Sequence, residues 1–204
     1  PEQRLQKLAN IRAMGIDPYP HRYKRTHTAI QAMELLTQDE QSGKTETTEV
    51  NVAGRIMANR TMGKISFLDI QDGSGKIQLF LSKNELDEQS NTLQKELDIG
   101  DIIGAKGAVF RTRSKEPTIR AKTLTMLSKS LQPLPEKWHG LSDVELRYRQ
   151  RYLDLISNEA VRKTFRLRSQ IVSAIRRYMD GHGFLEVETP ILHQESDGAI
   201  AKPF

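Results

Sequence analysis

No cysteine occurs among the 204 residues. That excludes disulfides, thiolate nucleophiles and sulfur-ligated metals together, and it fits a reducing cytosol. Long apolar runs are missing too: the longest, such as residues 77–81, span only a few positions, and that one contains Gln78. A bilayer helix needs about twenty apolar residues, so no membrane span is expected. The opening Pro-Glu-Gln-Arg-Leu-Gln-Lys lacks the apolar stretch of a signal peptide and an initiator Met, and reads as a trimmed or partial chain. There is no internal repeat and no low-complexity tract. His21, His27, His139, His182 and His193 show no metal-ligand spacing, so no metal site is expected and each reads as a surface or packing residue.

What is present supports a packed, basic protein. Hydrophobic content of 37% and charged content of 28% allow a core and argue against wholesale disorder. A net charge of +5 favours an anionic partner. Its distribution says more: between Arg147 and Arg177 lie seven further basic residues against Asp154 and Glu159 alone.

Along the chain, Leu5, Leu8 and Ile11 have helical spacing, and Gly15 is a natural stop. Asp17-Pro-Tyr-Pro20 imposes an extended segment. Thr28 caps a short helix through Ile30, Met33 and Leu36, and the polar residues 37–48 read as a linker. From Glu49 the period changes to that of strands. Val50, Val52, Ile56 and Met57 mark a long one, bent because Gly54 lies inside it. Residues 64–72 and 76–82 form a hairpin about Gly73-Ser-Gly75. A helix within 84–97 follows, then strands over 101–113 and 118–127. Three strands, a helix and two strands is the order of an OB barrel, although other small closed barrels share it. Leu131-Gln-Pro-Leu-Pro135 is a stiff boundary. Ser142 and Glu145 form a capping box for a helix through Leu155. Asn158 caps a longer helix that Gly181 and Gly183 end, and residues 184–189 read as a strand stopped by Pro190. The expected organisation is a helical extension over 1–48, a barrel over 49–130, a linker over 131–141 and a second domain opening at 142–204.

Alternation on the hairpin singles out one surface. Ser66, Leu68 and Ile70 share a face with Ile77, Leu79 and Leu81, which must be core. Phe67, Gln78 and Phe80 then lie on the outer face among charges. A two-residue turn at Gly73-Ser74 pairs Asp72 with Gly75, Phe67 with Phe80 and Asp69 with Gln78, making Phe67 and Gln78 diagonal neighbours. An exposed ring beside an amide suits an unpaired base, which stacks for about 1–3 kcal/mol. Arg55, Arg60 and Lys64 lie near enough in sequence to engage phosphates. The bland alternative, at even odds, is that Phe67 packs under the N-terminal helix or a loop.

The second half carries a more specific signal. Arg147-Tyr-Arg-Gln-Arg-Tyr-Leu-Asp-Leu155 resembles the segment leading into the catalytic domain of lysyl-tRNA synthetases. Phe184-Leu-Glu-Val-Glu-Thr-Pro190, after its long helix, resembles motif 1 of class II aminoacyl-tRNA synthetases. Val52-Ala-Gly-Arg-Ile56, Met62-Gly-Lys64, Gly100-Asp-Ile-Ile-Gly104, Pro133-Leu-Pro135, His139-Gly140 and Ala201-Lys-Pro-Phe204 are similar to the same family. Aspartyl and asparaginyl enzymes share the OB domain and motif 1, but the Arg-Tyr-Arg-Gln-Arg-Tyr spelling and the Ala-Lys-Pro-Phe ending favour lysine.

The resemblance implies an α+β chain: a five-stranded OB-fold barrel with N-terminal helices, then the start of a class II antiparallel α/β catalytic domain. It implies a cytoplasmic homodimer that charges tRNA-Lys with lysine through a lysyl-adenylate, using ATP and Mg²⁺. Phe67, Gln78, Glu116 and Arg60 would contact the anticodon, with Phe67 stacking on its central uridine. Gly198 would lie by the lysine pocket, and Phe165, Ile171, Ile175, Val187 and Pro190 would be core or dimer-facing. Two departures stand out: Asn59 where many members are basic, and Asp197 where a glycine is usual. The nucleotide-binding motifs 2 and 3 are not found; Phe165-Arg-Leu-Arg168 is only superficially similar to motif 2. The 204 residues are therefore expected to bind tRNA without charging it, and to hold no catalytic residue. A stand-alone OB nucleic-acid-binding protein with a helical dimerisation element is the alternative class.

Overall fold

Gly15, with φ of 73°, terminates the first helix where its spacing predicts. The computed structural model describes residues 2–43, 48–135, 141 and 143–190. Two compact units divide the chain, Pro1–Leu134 and Pro135–Phe204. No described helix is long and apolar enough to cross a membrane.

In the first unit, α1 (Glu2–Ala13) buries Leu8 and Ile11. The second helix, α2 (Ala29–Gln41), begins at a complete capping box. The Thr28 hydroxyl accepts from the Gln31 N–H, and the Gln31 side chain accepts from the Thr28 N–H. It runs five residues further than the sequence suggests, into the stretch read as linker. Polar residues extend it because tertiary partners hold them: Asp39 accepts from the Thr48 hydroxyl at 2.8 Å, and Glu40 takes a two-pronged bond from Arg111.

Five strands follow: β1 (Glu49–Met62), β2 (Ile65–Gln71), β3 (Lys76–Ser82), β4 (Ile102–Arg111) and β5 (Pro117–Ser128), with the short helix α3 (Glu88–Gln94) between β3 and β4. They close into a barrel in the order β1-β2-β3-β5-β4. β1 is long because it serves two neighbours, pairing with β4 through residues 49–55 and with β2 from Arg55 onward. Gly54 sits at the exchange, where a Cβ would lie 3.0 Å from the Gln71 carbonyl oxygen. The register shift itself falls between Ile56 and Ala58. The inward residues Val52, Ile56, Leu68, Ile70, Leu79, Leu81, Ile103, Ile119 and Met126 are essentially solvent-free.

Two polar clusters fix this unit. At the β2–β3 turn, Asp72 accepts from the Ser74 and Gly75 N–H groups, from the Ser74 hydroxyl and from the Ala29 N–H, so one carboxylate shapes the turn and caps α2. Burial acts to raise its pKa, but these bonds prevail and hold it below the ordinary range. At the other end the fully buried Lys129 ammonium donates to Asp101 at 2.8 Å, Asp98 at 2.6 Å and the Glu96 carbonyl at 3.0 Å. Lys7 of α1 reaches the same Asp98 at 2.6 Å, and Arg4 donates to the carbonyls of Ile99 and Ser130. The N-terminal helix is thereby tied to the barrel floor by charge as well as by Ile11.

The second unit is built from α4 (Val144–Arg149), α5 (Arg151–Ser157) and α6 (Glu159–Gly181). Asp143 is the cap of α4, accepting from the Leu146 N–H; Ser142 lies outside the described residues. The single helix expected through Leu155 breaks at Gln150, whose φ and ψ of −114° and 52° are not helical. The break lets Arg147 and Arg151 converge on the buried Asp154 at 3.2 and 2.6 Å. Asn158 caps α6 as predicted, accepting from Ala160 and Val161. Residues 184–190 are not a strand: they have no ladder partner among the described residues, and a strand exists only by pairing.

Lys129→Ala leaves the Asp101 carboxylate buried without its cation, and a loss of about 3–5 kcal/mol is expected in urea unfolding followed by circular dichroism. The pKa of Asp98 is raised by burial but lowered further by Lys129 and Lys7, for a net depression. Its stabilisation is therefore complete above the unfolded value near pH 4 and lost as pH falls through the lower folded value. Asp98→Asn should flatten the acid limb of the stability–pH curve below about pH 4.

Candidate nucleic-acid interface

The hairpin register is the one the two-residue turn predicts: Phe67 lies opposite Phe80 and Asp69 opposite Gln78. Phe67 is not sealed from solvent. Half-buried, it leans on Phe80 with ring centroids 5.4 Å apart and lines an open concavity of about 900 Å³. Gln78 and Phe80 from β3, Phe110 from β4, Arg120 from β5, Arg60 from β1 and Glu116 from the β4–β5 loop line it as well. The structure thus brings Phe67, Gln78, Glu116 and Arg60 to one place.

Their states differ from the expectation in two ways. Gln78 is on the outer face but is buried, with only 6% exposure, because its amide is gripped at both ends. Its nitrogen donates to Glu116 at 3.1 Å and its oxygen accepts from the Thr118 hydroxyl at 3.0 Å. Arg55 does not line the concavity: half-buried, it donates to the Gly100 carbonyl at 2.8 Å, and its burial lowers its pKa. Arg60 remains at the surface and is oriented by Asp69 at 3.0 Å. Asn59 and Lys64 are exposed.

Phe110, Arg120 and Thr118 were missed. Phe110 meets Phe80 edge-on at 6.1 Å, and the Arg120 guanidinium stands 4.7 Å over the Phe110 ring. The outward position of Phe110 follows from the buried alternation Ile103, Ala105, Gly107, Val109, a signal available in the sequence. The parallel β3–β5 register sets Thr118 beside Gln78 and Arg120 beside Phe80, and the β4–β5 ladder sets Thr118 opposite Phe110. The concavity therefore offers three aromatic faces with an amide, an acid and the three guanidiniums of Arg60, Arg113 and Arg120 around them. Rings stack on bases, polar groups read edges and guanidiniums meet phosphates.

In the second unit Phe165 is half-buried, with the Arg151 guanidinium 5.2 Å from its ring. Ile171, Ile175 and Val187 are each at least half exposed, and Pro190 is exposed. Leu167, Ile171, Ile175 and Tyr178 follow one another at helical spacing, making an open apolar stripe on α6. Gly198, Asp197 and the Ala-Lys-Pro-Phe ending lie outside the described residues.

Residues 50–127 match the family of OB-fold nucleic acid binding domains, and residues 143–204 match the class II tRNA synthetases (D, K and N). The chain is 56% identical over 202 residues to a lysine–tRNA ligase of Dehalococcoides mccartyi, covering 99% of this chain and 41% of the relative. It is 55% identical to a lysine–tRNA ligase of Carboxydothermus hydrogenoformans, over 98% of this chain and 40% of that protein. The lysine–tRNA ligase of Enterococcus faecalis is 47% identical over 98% of this chain and 41% of its own length. The chain thus spans about two fifths of the curated relatives it matches.

Proposed function

We propose, for a chain that belongs to the lysine–tRNA ligase family, that its parent protein activates lysine with ATP and transfers it to tRNA-Lys, and that these residues supply the anticodon-reading part. The observation that carries the reading is the aromatic concavity on an OB-fold ring, with Gln78 and Glu116 beside the Phe67 face. Phe67 supplies stacking area for the central anticodon base, Gln78 and Glu116 supply selectivity, and Arg60 meets the backbone. Arg120 and Phe110 extend the platform to a neighbouring nucleotide.

The family implies ATP, with Mg²⁺ on its phosphates. The described residues do not suit that group: among them no cluster of His, Asp or Glu is placed to hold a metal ion, and the Gly73-Ser-Gly75 turn leads into a strand, with no helix to cradle a phosphate. Adenylation is assigned to residues beyond the described ones, and so is the lysine-side role of Gly198. The setting proposed is the cytoplasm.

We assign the α6 stripe, with Val187 and Pro190, to a homodimer interface. An apolar helix face left largely exposed among the described residues is a poor solvent surface, and burying it against a second copy removes it from water. Phe165 sits at the edge of this role, since Arg151 already covers its ring.

Phe67→Ala should weaken binding of a lysine anticodon hairpin by about 1–3 kcal/mol while leaving the protein folded, as circular dichroism checks; unchanged affinity returns the ring to a packing role. Binding of that hairpin should fall with added salt, with a log–log slope of about −0.7 per phosphate contacted, and a flat response removes Arg60 and its neighbours from the interface. Ile175→Asp should shift the sedimenting species from dimer to monomer, and an unchanged mass refutes the α6 assignment.

A further inference from the structure

We propose that Glu40, in the last turn of α2, is a positioning residue for the RNA-binding concavity: through Arg111 it fixes the β4–β5 loop, so that α2 braces the two walls of the concavity. The proposal rests on the anticodon-reading role given above, and it assigns the N-terminal extension a part in that role.

The walls come from different elements. Phe67, Gln78 and Phe80 belong to the β2–β3 hairpin, whereas Phe110, Glu116 and Arg120 come from β4, β5 and the loop between them. α2 is fastened to both. At its start the Ala29 N–H donates to Asp72 at 2.9 Å and the Ile30 N–H to the Ser74 hydroxyl at 3.2 Å, both in the β2–β3 turn. At its end the Glu40 carboxylate accepts from the Arg111 Nε at 2.6 Å and from its Nη2 at 3.0 Å. Ala32 and Leu36, buried between these points, hold the helix on the barrel.

Arg111 carries the constraint into the loop. Its remaining terminal nitrogen, Nη1, donates to the Lys115 carbonyl at 3.2 Å. The same peptide group is held at its other end, where the Glu116 N–H donates to the Thr112 hydroxyl at 3.1 Å. The loop needs such a hold, because Lys115 has a φ of 64°, the only positive value outside glycine among the described residues. A residue with a side chain keeps that left-handed backbone only where its surroundings enforce it. With the Lys115–Glu116 peptide fixed, the Glu116 side chain leaves the backbone in one direction, and its carboxylate meets the Gln78 amide at 3.1 Å. Neither Glu40 nor Arg111 lines the concavity, while Thr112, Arg113, Ser114 and Glu116 do. Both partners of the ion pair are partly exposed, and an exposed pair contributes little to stability on its own. Its two-pronged geometry gives direction instead, turning the third nitrogen toward the Lys115 carbonyl.

The test is the affinity of the 204-residue chain for a lysine anticodon hairpin, beside a scrambled-loop control. Glu40→Ala removes a negative charge from a protein that binds a polyanion, so bulk electrostatics alone would tighten binding. The brace requires the opposite. Affinity should fall about fivefold, with the salt slope unchanged because no phosphate contact is lost. In a Glu116→Ala background the same substitution should change affinity by less than about twofold, since the residue through which it acts is gone. A folded Glu40→Ala that binds as tightly as the unaltered protein, or more tightly, overturns the brace and leaves the anticodon role standing. An undiminished loss in the Glu116→Ala background overturns it as well. If the unaltered chain binds the hairpin no better than the scrambled loop, the anticodon role itself falls, and the brace with it. Circular dichroism checks folding. Should Glu40→Ala not fold, Glu40→Gln keeps the side-chain length with one acceptor oxygen in place of two, and the same outcomes decide.

Discussion

Three residue pairs, Gln78 with Thr118, Leu79 with Ile119 and Phe80 with Arg120, join β3 to β5 and close the ring. Among the described residues it is the only parallel pairing, the other ladders being antiparallel, and parallel pairing is slightly less stable per residue. Yet everything in the concavity depends on it. Without closure the hairpin of β2 and β3 would carry Phe67, Gln78 and Phe80 alone, and β3 would be left as an open edge. The far wall would be lost: Arg120 belongs to β5, Phe110 to β4 and Glu116 to the loop joining them.

The rest of the first unit holds that closure in place. Gly107 lets β4 and β5 meet at a distance no other residue permits, since a Cβ there would fall 1.9 Å from the Arg120 carbonyl oxygen. The Lys129 cluster pins the end of β5 to the loop before β4 and to α1. Asp72 does the equivalent for the β2–β3 turn and α2. The second unit is organised differently. Its buried charge, Asp154, gathers two arginines at the α4–α5 break, but α6 buries no residue at all. A ring satisfies its apolar faces by closing on itself; a lone amphipathic helix has no such means.

The sequence disclosed whatever is set by neighbours along the chain. Alternation identified β2 and β3 to within a residue or two, and Asp72-Gly-Ser-Gly75 fixed their register, hence the pairing of Phe67 with Phe80. Local chemistry gave the Thr28 and Asn158 caps. Whatever needed a distant partner stayed hidden. The end of α2 is held by Thr48 and Arg111, so its polar composition read as linker. Arg55 looked like a free cation until the Gly100 carbonyl appeared beside it. Gln78 looked exposed because Glu116 and Thr118, which enclose it, lie 38 and 40 residues further on. The break at Gln150 brings Arg147 and Arg151 together on Asp154, a convergence that no helical period records.

The same separation sets a timetable for the nascent protein. A ribosome extruding this chain releases Gln78 forty residues ahead of Thr118. The Phe67–Phe80 pair therefore emerges with the Gln78 amide still without its partners, and the far wall of the concavity forms only once β5 has left the exit tunnel and docked. A product ending before Glu116 would carry both rings on a sheet whose β3 edge is open.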